Sequence, residues 1–93
     1  MSGYVQKGQA YEDQNLPGEA VQQYLLALGC TISCEYYTAA SYEGLAVCYS
    51  SLQSNGPASD YAGKALGIYG QYWIPDGLKE RMQRLERIRL NGE

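Results

Sequence analysis

Apolar residues recur along this chain at three- and four-residue spacing, in segments of 12 to 20 residues broken by Asn, Gly and Pro. Ala20, Val21, Tyr24, Leu25, Ala27 and Leu28 form one stripe, and Tyr42, Leu45, Ala46, Tyr49 and Leu52 a second. Leu78, Met82, Leu85 and Ile88 form a third, backed by Lys79, Glu80, Arg81, Arg84, Glu86, Arg87 and Arg89. Such spacing places apolar side chains on one face of an α-helix, and no segment alternates with period two for long enough to make a strand. The breaks fall at Asn15-Leu16-Pro17-Gly18, Gly29 to Thr31, Ser54-Asn55-Gly56-Pro57 and Gly70 to Gly77. Asn and Gly tolerate the left-handed backbone that ends a helix, and Pro fits the first turn of the next. The pattern therefore predicts an all-α chain of five helices, at 2–14, 17–29, 35–53, 57–70 and 76–90.

The first four of these helices are two copies of one unit. Residues 1–30 laid on 39–68, an offset of 38, pair Tyr4 with Tyr42, Tyr11 with Tyr49, Gly18 with Gly56 and Ala20 with Ala58. Ala27 with Ala65, Leu28 with Leu66 and Gly29 with Gly67 complete seven identities in 30, where chance gives roughly two. Gly8 against Ala46 adds a small-for-small match. Small residues at 8, 20 and 27 let two helices approach closely, and Tyr11 and Tyr24 fill the volume left between them. The expected architecture is a duplicated antiparallel hairpin followed by one further helix.

The order of these residues resembles the tetratricopeptide repeat (TPR) family. Tyr4, Gly8, Tyr11, Ala20, Tyr24 and Ala27 keep that family's full spacing, and Tyr42, Leu45, Ala46, Tyr49, Ala58, Ala62 and Ala65 repeat it. Lys7 stands where the family usually has Leu, Ala62 where it usually has an aromatic, and the period is 38 rather than 34. The resemblance covers residues 2–70. It implies TPR-like repeats at 2–30 and 35–70, stacked as a short right-handed superhelix, with 76–90 capping the last exposed core face. It also implies a concave groove lined by the first helix of each hairpin. That face would carry Ser2, Val5, Gln9 and Glu12 from the first copy and Ala40, Glu43, Val47 and Ser50 from the second. Family members that grip C-terminal carboxylates use Lys, Arg and Asn on these faces. None is present here, so the resemblance implies a neutral-to-acidic groove suited to an apolar or basic peptide or helix.

Bulk properties narrow the function. Ninety-three residues make one small domain, 1–93, which buries only about 60–65% of its unfolded surface. Ten Tyr with one Trp and no Phe suit half-buried seams between elements rather than one deep core. Three repeats usually stabilise such an array, and two plus a cap predict either a homo-oligomer or packing on a larger partner. Charge is segregated: residues 1–78 hold two basic and seven acidic side chains, and residues 79–93 hold five basic and three acidic. The tail's cations alternate with acids and core positions, and the pI is about 4.8, which argues against a nucleic-acid footprint.

Chemistry-bearing motifs are sparse. Without His there is no imidazole base or ligand, and no Ser-His or Cys-His pair. Cys30, Cys34 and Cys48 are too few for a zinc site, and an odd count with no charged start before an apolar run points to free thiols in a reducing cytoplasm. A Cys30–Cys34 disulfide is the alternative. Glu12 and Asp13 are adjacent and do not face each other on a helix, so they are expected as solvated charges. No phosphate-cradling loop and no apolar run of membrane-spanning length is present. The sequence thus predicts no enzyme, cofactor or metal, but a cytoplasmic adaptor or scaffold that binds a protein, a peptide or its own copy. Its expected groove residues are Val5, Gln9, Glu12, Glu43, Val47 and Ser50. Two other classes remain: a three-helix trafficking-type (MIT-like) binding domain, to which Ala20-Tyr24-Ala27 is also similar, and a nucleic-acid-associated subunit using the Arg-rich last helix.

Overall fold

A computed structural model describes residues 2–29, 35–71 and 76–91. Among these residues the chain forms five helices and no strand: α1 (Ser2–Asp13), α2 (Pro17–Gly29), α3 (Glu35–Ser51), α4 (Asn55–Tyr69) and α5 (Asp76–Asn91). Each helix packs on its neighbour in sequence, and α3 also touches α1 and α5. The result is a stack of helical hairpins in which α1, α3 and α5 lie side by side.

The two hairpin turns are built alike, and the likeness extends to individual backbone bonds. Asn15 donates its N–H to the Glu12 carbonyl at 2.9 Å, and Leu16 to the Tyr11 carbonyl at 2.9 Å. Thirty-eight residues on, Gln53 donates to Ser50 at 3.0 Å and Ser54 to Tyr49 at 2.8 Å. This paired 5→2 and 6→1 pattern is the Schellman helix end, which needs a left-handed residue at its first turn position. Asn15 and Gln53 both supply it, each at φ 62°. Leu16 and Ser54 then start the next helix, accepting from Ala20 and Ala58 at 3.1 Å each.

That equivalence explains where the helix bounds differ from expectation. α4 begins at Asn55, the partner of Pro17, two residues before Pro57. Pro57 sits in the first turn, where no intrahelical acceptor waits for its missing N–H. α3 stops at Ser51 rather than 53, because the left-handed Gln53 cannot continue the helix.

Two cores flank α3. The first joins Val5, Ala20, Val21, Tyr24 and Ala27 to Ala40, Leu45 and Cys48; the second joins Ala39 and Ala46 to Ala62, Ala65, Tyr69 and Leu85. α3 is therefore buried on two sides, which suits its nearly all-round content of small and apolar residues. In the first core the Tyr24 ring fills the gap at Gly8, where an added Cβ would come within 2.7 Å of Tyr24 Cζ. In the second core Ala62 replaces that ring, and α5 sends in Leu85, which is fully buried. The aromatic role moves one residue back: Tyr61 stacks on Tyr42 at 5.9 Å and on Tyr49 at 5.8 Å, and packs against both cores. Lys64 lies over the Tyr42 and Tyr61 rings at 5.7 and 5.4 Å.

Candidate functional site

A cavity of about 200 Å³ opens where α1, α3 and α5 meet, lined by Gln9 and Glu12 from α1, Ala40, Glu43, Gly44 and Val47 from α3, Arg81 and Arg84 from α5, and Tyr24 from α2. Four residues expected in the groove, Gln9, Glu12, Glu43 and Val47, thus converge on one pocket, with Ala40 beside them. Val5 lies instead in the first core at 3% exposure, and Ser50 is half-buried outside the pocket lining. The Ser2 side chain lies outside the described residues.

Glu43 is the most buried acid of the site, at 4% exposure. A carboxylate taken out of water this far needs donors on both oxygens, and it has them. Arg81 approaches through Nε at 2.9 Å from Oε2 and 3.1 Å from Oε1, with Nη2 on Oε1 as well. Tyr69 donates its hydroxyl to Oε1 at 2.9 Å, and Arg84 Nη2 reaches Oε2 at 3.3 Å. The Arg81 guanidinium also sits 5.9 Å from the Tyr69 ring centre. A charge expected to line an open groove is therefore the tie that holds α5 to α3. Arg81 and Arg84, which the sequence pattern places on the charged back of a capping helix, face inward to this pocket. Of the cations around the site, Arg84 remains the more exposed, its side chain half open to solvent.

Glu12 is held differently. Cys48 donates its thiol to Oε1 at 3.3 Å, and the Tyr24 hydroxyl lies near the same carboxylate. Glu12 is half-buried rather than solvated, because α1 turns it inward over Cys48 while Asp13 points to solvent. Burial raises the Glu12 pKa; the Cys48 hydrogen bond, the neighbouring Tyr24 hydroxyl and the charge of Arg84 offset part of the rise, and Glu43 adds to it. Burial likewise pushes the Cys48 thiol up to about 12, and the adjacent Glu12 carboxylate pushes in the same direction. The Tyr24 hydroxyl is raised strongly for the same two reasons. A second cavity of about 80 Å³ lies behind Glu12, against Asn15, Pro17, Val47, Cys48 and Ser51.

Two site residues carried no signal in the repeat. Gly44 has no small partner at the equivalent position in the first copy, Gln6; only its cost in a helix interior hints at close packing. A Cβ there would overlap the Tyr24 ring. Tyr24 is legible as a core aromatic, but not as a wall of the pocket that holds Glu12. Among the described residues no cluster of three potential metal ligands occurs, and Cys30 and Cys34 lie outside them.

Fold and site together define an all-α stack of helical hairpins with a polar pocket on the face shared by its odd-numbered helices. No family model, curated protein or solved structure matches the chain. Among the described residues no helix is long and apolar enough to cross a membrane.

Proposed function

We propose that this chain is a non-catalytic, TPR-like interaction module that binds a peptide or helix of a partner protein across the α1–α3–α5 face. The observation that carries this reading is the convergence of Gln9, Glu12, Ala40, Glu43, Val47, Arg81 and Arg84 on one open, polar cavity. Three helices meet there without closing it, which is the shape of a receptor for an inserted side chain rather than of a core. The chemistry of the lining supports binding over catalysis: the thiol of Cys48 and the hydroxyl of Tyr24 are both held further from ionisation than usual. Pairing of Arg81 and Arg84 with Glu43, and of Arg89 with Glu86, engages three of the last helix's five cations and breaks up the one-signed patch that phosphates need. Leu25 and Leu26, 42% and 48% exposed on α2, offer a second apolar surface for self-association, and we assign the chain to a cytoplasmic assembly role.

Selection of peptides from a randomised display library on the wild-type chain, followed by binding to Val47→Arg, tests the proposal. A charge at Val47 fills the pocket mouth, so selected peptides should lose at least tenfold in affinity. Peptides that bind both proteins equally would place recognition elsewhere.

A further inference from the structure

The pocket holds two carboxylates in contrasting states. Glu43 is matched by Arg81, Arg84 and Tyr69. Glu12, on the opposite wall, accepts from the Cys48 thiol with the Tyr24 hydroxyl nearby, and no lysine or arginine among the described residues lies within ion-pairing distance of it. A half-buried carboxylate without a contacting cation carries a desolvation cost that neutral donors offset in part. The small residues Ala40 and Gly44 keep the space open, and Gln9 adds a further polar group at its edge.

We propose that this pocket is a receptor for a single cationic side chain, lysine or arginine, of the bound partner, with the Glu12 carboxylate as its counter-ion. The proposal rests on the interaction-module reading and names the partner's chemistry at that same site. Cys48 acts as a positioning residue: its hydrogen bond holds the carboxylate before the cation arrives, so less rotamer freedom is lost on binding. An anionic group is the poorer match. It would enter beside two carboxylates, with Arg81 committed to Glu43 through several hydrogen bonds and Arg84, half exposed, already giving Glu43 one 3.3 Å contact. A purely apolar side chain would leave the half-buried Glu12 carboxylate further from water with no compensating charge. A cavity of about 200 Å³ accommodates the end of one long side chain. The acidic balance of residues 1–78 adds a long-range attraction of the same sign.

The test is an amide chemical-shift titration of the intact chain with three small probes: the N-acetyl amides of lysine, norleucine and glutamate. The expected result is saturable shifts at Gln9, Glu12, Gly44 and Val47 with the lysine probe, about tenfold weaker with norleucine and glutamate. In Glu12→Gln the lysine preference should vanish, while circular dichroism shows the same helicity and an unchanged or higher melting temperature. Equal response to norleucine, a preference for glutamate, absence of shifts with all three, or a lysine preference that survives Glu12→Gln would each overturn the proposal. Display-selected peptides that occupy the face without a lysine or arginine requirement would overturn it too, while leaving the interaction-module reading in place.

Discussion

The phenol ring of Tyr24 occupies the space in which a side chain at Gly44 would begin, so that a Cβ on Gly44 would overlap Tyr24 Cζ and Cε2. Gly8 on α1 meets the same ring from the other side. One aromatic from the second helix of the first hairpin thus sets the spacing of α1 and α3, and with it the width of the pocket between them.

Gly44→Ala is accordingly expected to destabilise the fold by about 1–2 kcal/mol, the overpacking cost exceeding what alanine gains in a helix interior. Urea denaturation should show it, and in a double-mutant cycle Tyr24→Leu should recover part of the loss. Additive effects of the two substitutions would mean that ring and backbone do not meet.

Arg81 and Arg84 hold the same carboxylate with different geometry, and their removal should differ accordingly. Arg81→Ala leaves buried Glu43 with Tyr69 and one weak arginine contact, and should cost about 2–3 kcal/mol. Arg84 is half exposed and makes a single 3.3 Å contact, so Arg84→Ala should cost under about 1 kcal/mol. Denaturant midpoints of the two variants check the order, which is the content of the prediction.

Gln53 is a left-handed residue without the short side chain that eases that conformation. Gln53→Gly should raise stability by about 0.5–1 kcal/mol, whereas Asn15→Ala at the equivalent turn should lower it by about the same amount. Both are read from denaturant midpoints at unchanged slope.

Glu12 makes stability depend on pH in a definite direction. Its pKa is raised in the folded chain above the ordinary 4.5, chiefly by burial, so the folded state keeps this proton after the unfolded chain has lost it. The contribution is therefore fully present below pH 4.5 and is lost as pH rises through the folded value. Glu12→Gln, which keeps an acceptor for Cys48, should be more stable than wild type at pH 7, with the difference shrinking toward pH 4. Thermal melts across that range decide it, and a Gln variant less stable at pH 7 would contradict the burial argument.

Much of this architecture is written in residue spacing, because a duplicated unit states its own boundaries twice. The five helices and both turns follow from apolar periodicity and from the Asn15-Pro17 and Asn55-Pro57 breaks. The close approach at Gly8 follows from the paired Ala46. What the spacing hides is side-chain geometry across non-neighbouring helices. Ala62 reads as a missing aromatic, yet Tyr61 and Leu85 restore the volume from one residue back and from another helix. Arg81 and Arg84 read as a solvated face because nothing local announces that Glu43, some forty positions earlier, waits for them. Glu12 and Asp13 are alike in sequence, and only the packing of α1 over Cys48 separates the buried acid from the exposed one.

The central claim is that α1, α3 and α5 form one recognition face around Glu12 and Val47. Amide shift mapping with a display-selected peptide tests it most directly. The expected result is a contiguous set of perturbed residues that includes Gln9, Glu12, Ala40, Val47 and Arg84. Perturbations confined to Leu25 and Leu26 on α2, with the pocket residues unmoved, would contradict it.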